Sequence, residues 1–301
     1  MLYKEFIDAV DVYNSQDFIV VQKFVRKTTK ESVKQWQRSM DFVREGEGAE
    51  EDWQRLLSRE IDLNLFDWEL GYGFTKKAIQ DATAGELRET TAECLRADQR
   101  LLAKLFFQAC LVSGGFWDAA MATAPPNYKG NAFAATHTHY GITGAAALRL
   151  QDLTTLKQEI REHGYMGQLY LFVNSATVQA LEDLAGWTAA MTANSVVEEI
   201  AVNGLVSDLK VNGFIVIPDD WVPANYLFAL DGSVQSVNMR EPLQAAGRGL
   251  KLFKGPYEDY PLMEATYERR CGMNVVHRGA GAVLQIAAAG AYTNPTFSFV
   301  L

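Results

Sequence analysis

The pair His137-Thr-His139 has the side chains best suited to metal chemistry in this sequence. In an extended segment, residues i and i+2 share a face, so two imidazoles there suit one borderline ion such as zinc. A third ligand would have to come from His163, His277 or a carboxylate that spacing alone does not bring near. The residues therefore favour two histidines hydrogen-bonded in a packed loop, with no resident metal or cofactor. Asp219-Asp220 follows Pro218, and adjacent carboxylates in an extended chain point apart and mark a turn more readily than an acid–base pair. Gly71-Tyr-Gly73-Phe-Thr-Lys76 lacks the third glycine and the strand–helix context of a dinucleotide loop, and GxxxxGK[ST], HExxH and GxSxG do not occur. Lys76-Lys77 and Arg269-Arg270 read as solvated dibasic pairs. No catalytic constellation emerges; an α/β enzyme with a site at His137, His139 and Asp220 is the competing reading from another class.

The elements around these residues build a sheet and a surface. Thr83-Ala-Gly-Glu86 is a capping box, and Leu87, Thr91, Leu95, Leu102, Leu105, Phe106, Ala109 and Val112 recur at helical spacing until Ser113-Gly-Gly115. The spacing predicts a long helix over 83–112 that lies across a sheet as a strut, with Arg88, Glu89, Glu93, Arg96 and Arg100 on a solvated face. Residues 116–150, rich in Pro, Gly and Ala, read as a loop-rich connection. Asp152 is placed to cap a helix bearing Leu153, Leu156 and Ile160, and Asn174 a second bearing Val178, Leu181 and Leu184. Strands are expected at Leu169–Val173, Phe214–Ile217, Tyr226–Leu230, Gly249–Phe253, Leu262–Arg270 and Asn274–Ile286, with an interruption at Cys271-Gly272.

Residues 1–28 alternate apolar positions at Phe18–Val21 and read as an extended arm that pairs with something else. Residues 29–80 hold an acidic tip, Glu45 to Asp52, between flanks carrying Trp36, Phe42, Trp53, Leu56 and Leu57. Either this is a solvated loop between helices, or its aromatics bury against a neighbouring subunit.

Composition bounds the function. Of 301 residues, 48% are hydrophobic and 22% charged, enough for a substantial core. A net charge of −9 argues against wrapping duplex DNA, which needs cations to replace counterions, though not against enclosing it. Cys94, Cys110 and Cys271 form no CxxC pair, and the first two, on one predicted helix, stand roughly 24 Å apart at about 1.5 Å per residue, too far to bridge. An odd count without a framework fits a reducing compartment. No signal peptide or membrane-length apolar run is apparent, so synthesis in the cytoplasm and no membrane partner are expected.

The order of parts resembles the major capsid proteins of tailed bacteriophages with the Hong Kong 97-type fold, and more distantly the encapsulin shells. Gly73-Phe-Thr-Lys-Lys-Ala-Ile-Gln-Asp-Ala82, leading into the capped helix, is similar to the entry of that family's spine helix. Asn131 to Tyr140, then Leu153–Gly164 and Leu169–Asn174, resembles the approach to its axial domain. Asn212–Pro218 through Asp231-Gly232 resembles that domain's inner strands, and Glu264–Arg278 through Ala282–Ile286 its closing strands. Together these cover about 73–290.

The resemblance implies an α+β fold with an N-terminal arm (1–28), an E-loop (29–80), a peripheral domain (81–148 and 250–275) and an axial domain (149–249 and 276–301). It implies a non-enzymatic shell subunit that assembles as hexamers and pentamers into an icosahedral head around double-stranded DNA, in a virion made in a host cytoplasm. Portal and scaffolding proteins and a possible decoration protein are the implied partners. Few residues precede the loop-like region, which assigns scaffolding to a separate protein or makes it unnecessary. The Lys, Asn and Glu of the family's crosslink find no match here. An encapsulin-type compartment is the alternative. Trp36, Phe42, Trp53, Leu56 and Leu57 are the candidate intersubunit contacts.

Overall fold

The computed structural model describes residues 2–16, 19–37, 57–119, 121, 129, 131–184, 188–189, 209–256 and 264–297. The chain opens with α1 (Leu2–Ser15), α2 (Ile19–Phe24) and β1 (Val25–Thr28). Next, β2 (Ser32–Gln37) and β3 (Leu57–Asp62) pair antiparallel as a separate two-stranded ribbon. β4 (Phe66–Gly73), α3 (Lys76–Asp81) and the long α4 (Ala84–Leu111) follow. After β5 (Tyr140–Ile142) come α5 (Leu150–Arg161), β6 (Leu169–Val173), α6 (Ser175–Glu182) and β7 (Thr188–Ala189). The remaining strands are β8 (Leu209–Val211), β9 (Phe214–Pro218), β10 (Tyr226–Asp231), β11 (Val237–Arg240), β12 (Leu250–Phe253), β13 (Glu264–Val275) and β14 (Gly281–Gln285).

A seven-stranded sheet runs β5-β14-β10-β6-β9-β8-β7. Its central strands β6 and β10 are buried along their whole length, as continuous apolar runs demand. Asn212 and Gly213 both adopt positive φ between β8 and β9, the two-residue turn whose twist matches the flanking strands. One face of the sheet is covered by α5 and α6, through Leu153, Leu156, Ile160 and Leu181. On the other, Phe172 and Phe228 stack with ring centres 4.7 Å apart and meet Phe106 and Phe107 of α4.

The second sheet orders β1-β11-β13-β12, with β4 also on β13. The N-terminal half of α4 covers it through Leu87, Thr91, Cys94 and Asp98, together with Phe6 and Val10 of α1. The helix thus lies on both sheets. Its capping box forms as the sequence predicts, Thr83 N–H donating to Glu86 and Glu86 N–H to the Thr83 hydroxyl. Its 28 residues span about 42 Å at the helical rise.

Several expectations shift. Residues 2–15 form an amphipathic helix and not an extended arm, because Tyr3, Phe6, Val10 and Tyr13 recur at helical spacing and bury on the second sheet. Among the described residues of 29–80, β2 and β3 form a sheet of their own, whereas β4 pairs with β13 from Phe66 to Gly73. β5 lies in the seven-stranded sheet and β11 in the second, so sheet membership departs from the boundaries at 148 and 249. β13 runs through Cys271-Gly272 without interruption. Gly272 is needed there because a Cβ would sit 2.3 Å from the Asn64 carbonyl. Asp152 lies inside α5, its carboxylate accepting the Arg149 N–H at 2.9 Å. Among the described residues, no helix is long and apolar enough to cross a membrane.

Candidate functional site

Three places hold groups that a monomer leaves open or binds with unusual care. The first is the β2–β3 ribbon. Its register sets Val33 opposite Ile61, Lys34 opposite Glu60 and Trp36 opposite Ser58. Its base is buried, at Ile61 and Leu63. Arg240 on β11 clamps that base, donating to the Leu63 carbonyl at 2.9 Å and to Glu31 at 2.7 Å. Asn274 donates to the Asp62 carbonyl at 3.1 Å. Beyond this base the ribbon forms a sheet of its own. On the second sheet, Phe66 and Leu70 of β4 and Phe253 of β12 remain about half exposed.

The second place is a buried ionic lock beneath α1. Arg269 on β13 donates to both oxygens of Asp98 on α4, at 2.5 and 2.6 Å, and Tyr13 donates to the same carboxylate at 2.7 Å. A bidentate pair with a third donor satisfies charges that burial alone would penalise. Burial pulls the Arg269 guanidinium down, but the Asp98 charge and hydrogen bonds outweigh this and hold it above its ordinary value. Burial, then the Asp98 charge, push the Tyr13 phenol up. The lock ties α1, α4 and β13 together. On the opposite side of α4, Arg96 pairs with Glu89 and Glu93, and Arg100 with Glu93, all exposed, as the predicted solvated face requires.

The third place is a histidine cluster. His137 and His139 lie in irregular backbone before β5, and His163 follows the C-terminus of α5. One ring nitrogen from each lies within 4.8 Å of the others. His137 Nε2 and His163 Nε2 are 3.0 Å apart. His139, fully buried, directs Nδ1 to the Gly281 carbonyl at 2.6 Å, which makes that nitrogen the donor and leaves Nε2 as a lone pair without a hydrogen-bond partner. Glu162 places Oε1 3.7 Å from His137 Nδ1. Phe133 stacks on His137 and His163. Burial lowers all three imidazoles, His139 far below the ordinary range and His163 to about 3. Burial, then the charge of Glu162, push Glu159 up to about 8.

The structure therefore places His163 beside His137 and His139, while His277 sits against Tyr165. Asp219 accepts from the Trp221 N–H at 2.8 Å, the turn expected of that dipeptide. Among the candidate contacts, Trp36 and Leu57 belong to the ribbon strands, and Phe42, Trp53 and Leu56 fall outside the described residues. The Asp98–Arg269 lock and the Arg240 clamp went unread in the sequence, because their partners are far apart along the chain.

A family described as phage capsid protein matches residues 61–294. A chain from a structure of Mycobacterium phage Patience aligns over 98% of this chain and 90% of its own, with TM-score 0.74 and 22% identity. A chain from the capsid of a native GTA particle aligns over 91% of each, with TM-score 0.56 and 16% identity. A chain from the holo-SrpI encapsulin complex of Synechococcus elongatus PCC 7942 aligns over 96% and 98%, with TM-score 0.51 and 13% identity. At such identities the likeness shows a shared fold and nothing finer. Searched against curated proteins, the sequence finds no significant match.

Proposed function

This chain belongs to the phage capsid protein family and is a major capsid protein of the Hong Kong 97 type; from that premise we propose that its copies assemble as hexamers and pentamers into an icosahedral head around double-stranded DNA. The β2–β3 ribbon carries this reading. Two strands alone are marginal in water, and the contacts that hold this pair to the body, among the described residues, lie at its base. Laid over the second sheet and α4 of a neighbour, the ribbon acquires a surface to bury against. Phe66, Leu70 and Phe253 offer apolar area there, worth about 25 cal/mol per Å² covered. Many weak copies of one contact suit a shell that must correct errors as it closes.

In this reading residues 29–62 form the E-loop, the second sheet with α4 the peripheral domain, and the seven-stranded sheet with α5 and α6 the axial domain. Trp36, Phe42, Trp53, Leu56 and Leu57 are intersubunit contacts. The net charge of −9 lets DNA pack inside without adhering. Portal and scaffolding proteins, and a decoration protein, are the partners this assembly would call on.

Negative-stain microscopy with sedimentation of the purified chain tests the proposal. Closed shells are expected, and monodisperse monomer under all conditions would refute it. Trp36→Ser with Trp53→Ser is expected to stay soluble and fail to close; normal shells from that variant would overturn the E-loop assignment. Shells from the native source that hold an enzyme and no DNA would replace the phage head with the encapsulin-type reading.

A further inference from the structure

We propose that His137, His139 and His163 form a three-histidine site for one borderline divalent transition ion per subunit, of the zinc class. The convergence of lone pairs carries the inference. The His139 Nδ1–H bond to Gly281 fixes the tautomer, so the Nε2 lone pair has no hydrogen-bond partner, in a ring packed against the other two. His137 and His163 bring their Nε2 atoms together at 3.0 Å, close to the separation of about 3.3 Å that two ligands on a tetrahedral ion adopt at Zn–N of about 2.0–2.1 Å. The widest spacing in the trio, 4.8 Å, closes by a movement of about 1.5 Å in the rings of His137 and His163, which are less buried than His139.

The outer ring of contacts fits as well. Metal-bound histidines characteristically donate their second nitrogen to a carbonyl or carboxylate. Here Gly281 serves His139, and Glu162 stands 3.7 Å from His137 Nδ1. In the metal-free molecule one of the facing Nε2 atoms must carry a proton to bond the other. When an ion takes both lone pairs, that proton moves to Nδ1 of the same ring, where on His137 it meets Glu162. The His137 side chain, 12% exposed, leaves an entry path. Trp117 and Phe133 supply apolar walls that limit competing oxygen ligands. A bound ion would join the loop before β5 to the end of α5, two segments that already meet through ring contacts, the His137–His163 hydrogen bond and the approach of Glu162 to His137. It would act there as a staple, since free energy of binding to the folded state adds to stability.

The full-length chain, stripped with a chelator and dialysed, is titrated with Zn²⁺ by calorimetry and with Co²⁺ by absorption. One ion per chain is expected, with the ligand-field bands of tetrahedral Co²⁺ that Zn²⁺ then bleaches, and a higher melting temperature with Zn²⁺. His163→Gln is expected to lose stoichiometric uptake and the Zn²⁺-dependent rise in melting temperature. Glu162→Gln is expected to keep the stoichiometry with affinity about tenfold weaker. His137→Gln, at a position less buried than His139, serves as the removal variant should His163→Gln fail to fold by circular dichroism. Uptake far below one ion per chain, a purely octahedral Co²⁺ spectrum, or equal uptake in a folded removal variant would each overturn the site.

Discussion

The seven-stranded sheet and the β2–β3 ribbon solve the same problem in opposite ways. In the sheet, β6 and β10 are buried along both faces, and Asn174 and Asp231 at their ends find partners inside the chain. Asp231, for instance, is fully buried, accepts from Gly167 and Ser233 N–H groups, and stands 3.7 Å from Arg161. The ribbon has a buried base at Ile61 and Leu63 and an edge on either side. One region completes its contacts within the molecule, and under the proposed reading the other leaves its edges for a neighbour. That reading makes stability and assembly separable properties, carried by different residues.

That separation breaks most readily in the core. Phe228→Ala removes a ring stacked on Phe172 and packed against Phe107, with loss of about 3–5 kcal/mol expected in urea unfolding of the unassembled subunit. A loss below about 1 kcal/mol would mean that the sheet is not where the subunit's stability resides. Smaller, and confined to a pH window, is the effect of Glu159. Its carboxyl is held up at about 8 against an ordinary 4.5, so the folded state binds a proton that the unfolded state gives up. Stability should fall as pH rises from about 4.5 to about 8 and level off above. Glu159→Gln should flatten that decline in thermal melts across the window, and an unchanged slope would show that burial does not govern this carboxyl. Smallest on stability is Glu93→Gln on the exposed face of α4. No measurable change in subunit melting is expected, because exposed pairs of this kind are screened by solvent. A clear loss would place part of the subunit's stability on the solvated face.

How much of this was legible varied with the range of the interaction. α4 announced itself through a local capping box and eight apolar positions in period, and β6, β9 and β10 through short apolar runs bounded by Asn and Pro. The helix at 2–15 carries a readable signal in Tyr3, Phe6, Val10 and Tyr13, but the alternation at Phe18–Val21 points to an extended segment instead. The site was harder. His163 lies 26 positions from His137, and only the packing of α5 against β14 and β10 brings its ring beside the other two. Asp98 and Arg269 are 171 positions apart and meet because α4 crosses β13. Pairings of that reach depend on topology, which local pattern does not encode.

α4 reaches from the Asp98 lock on one sheet to the phenylalanine cluster on the other, and its core face is closed at both ends. Such a girder leaves little room for one sheet to tilt against the other. A subunit built this way behaves as a rigid tile, and a surface paved with such tiles must obtain its curvature from the seams between them.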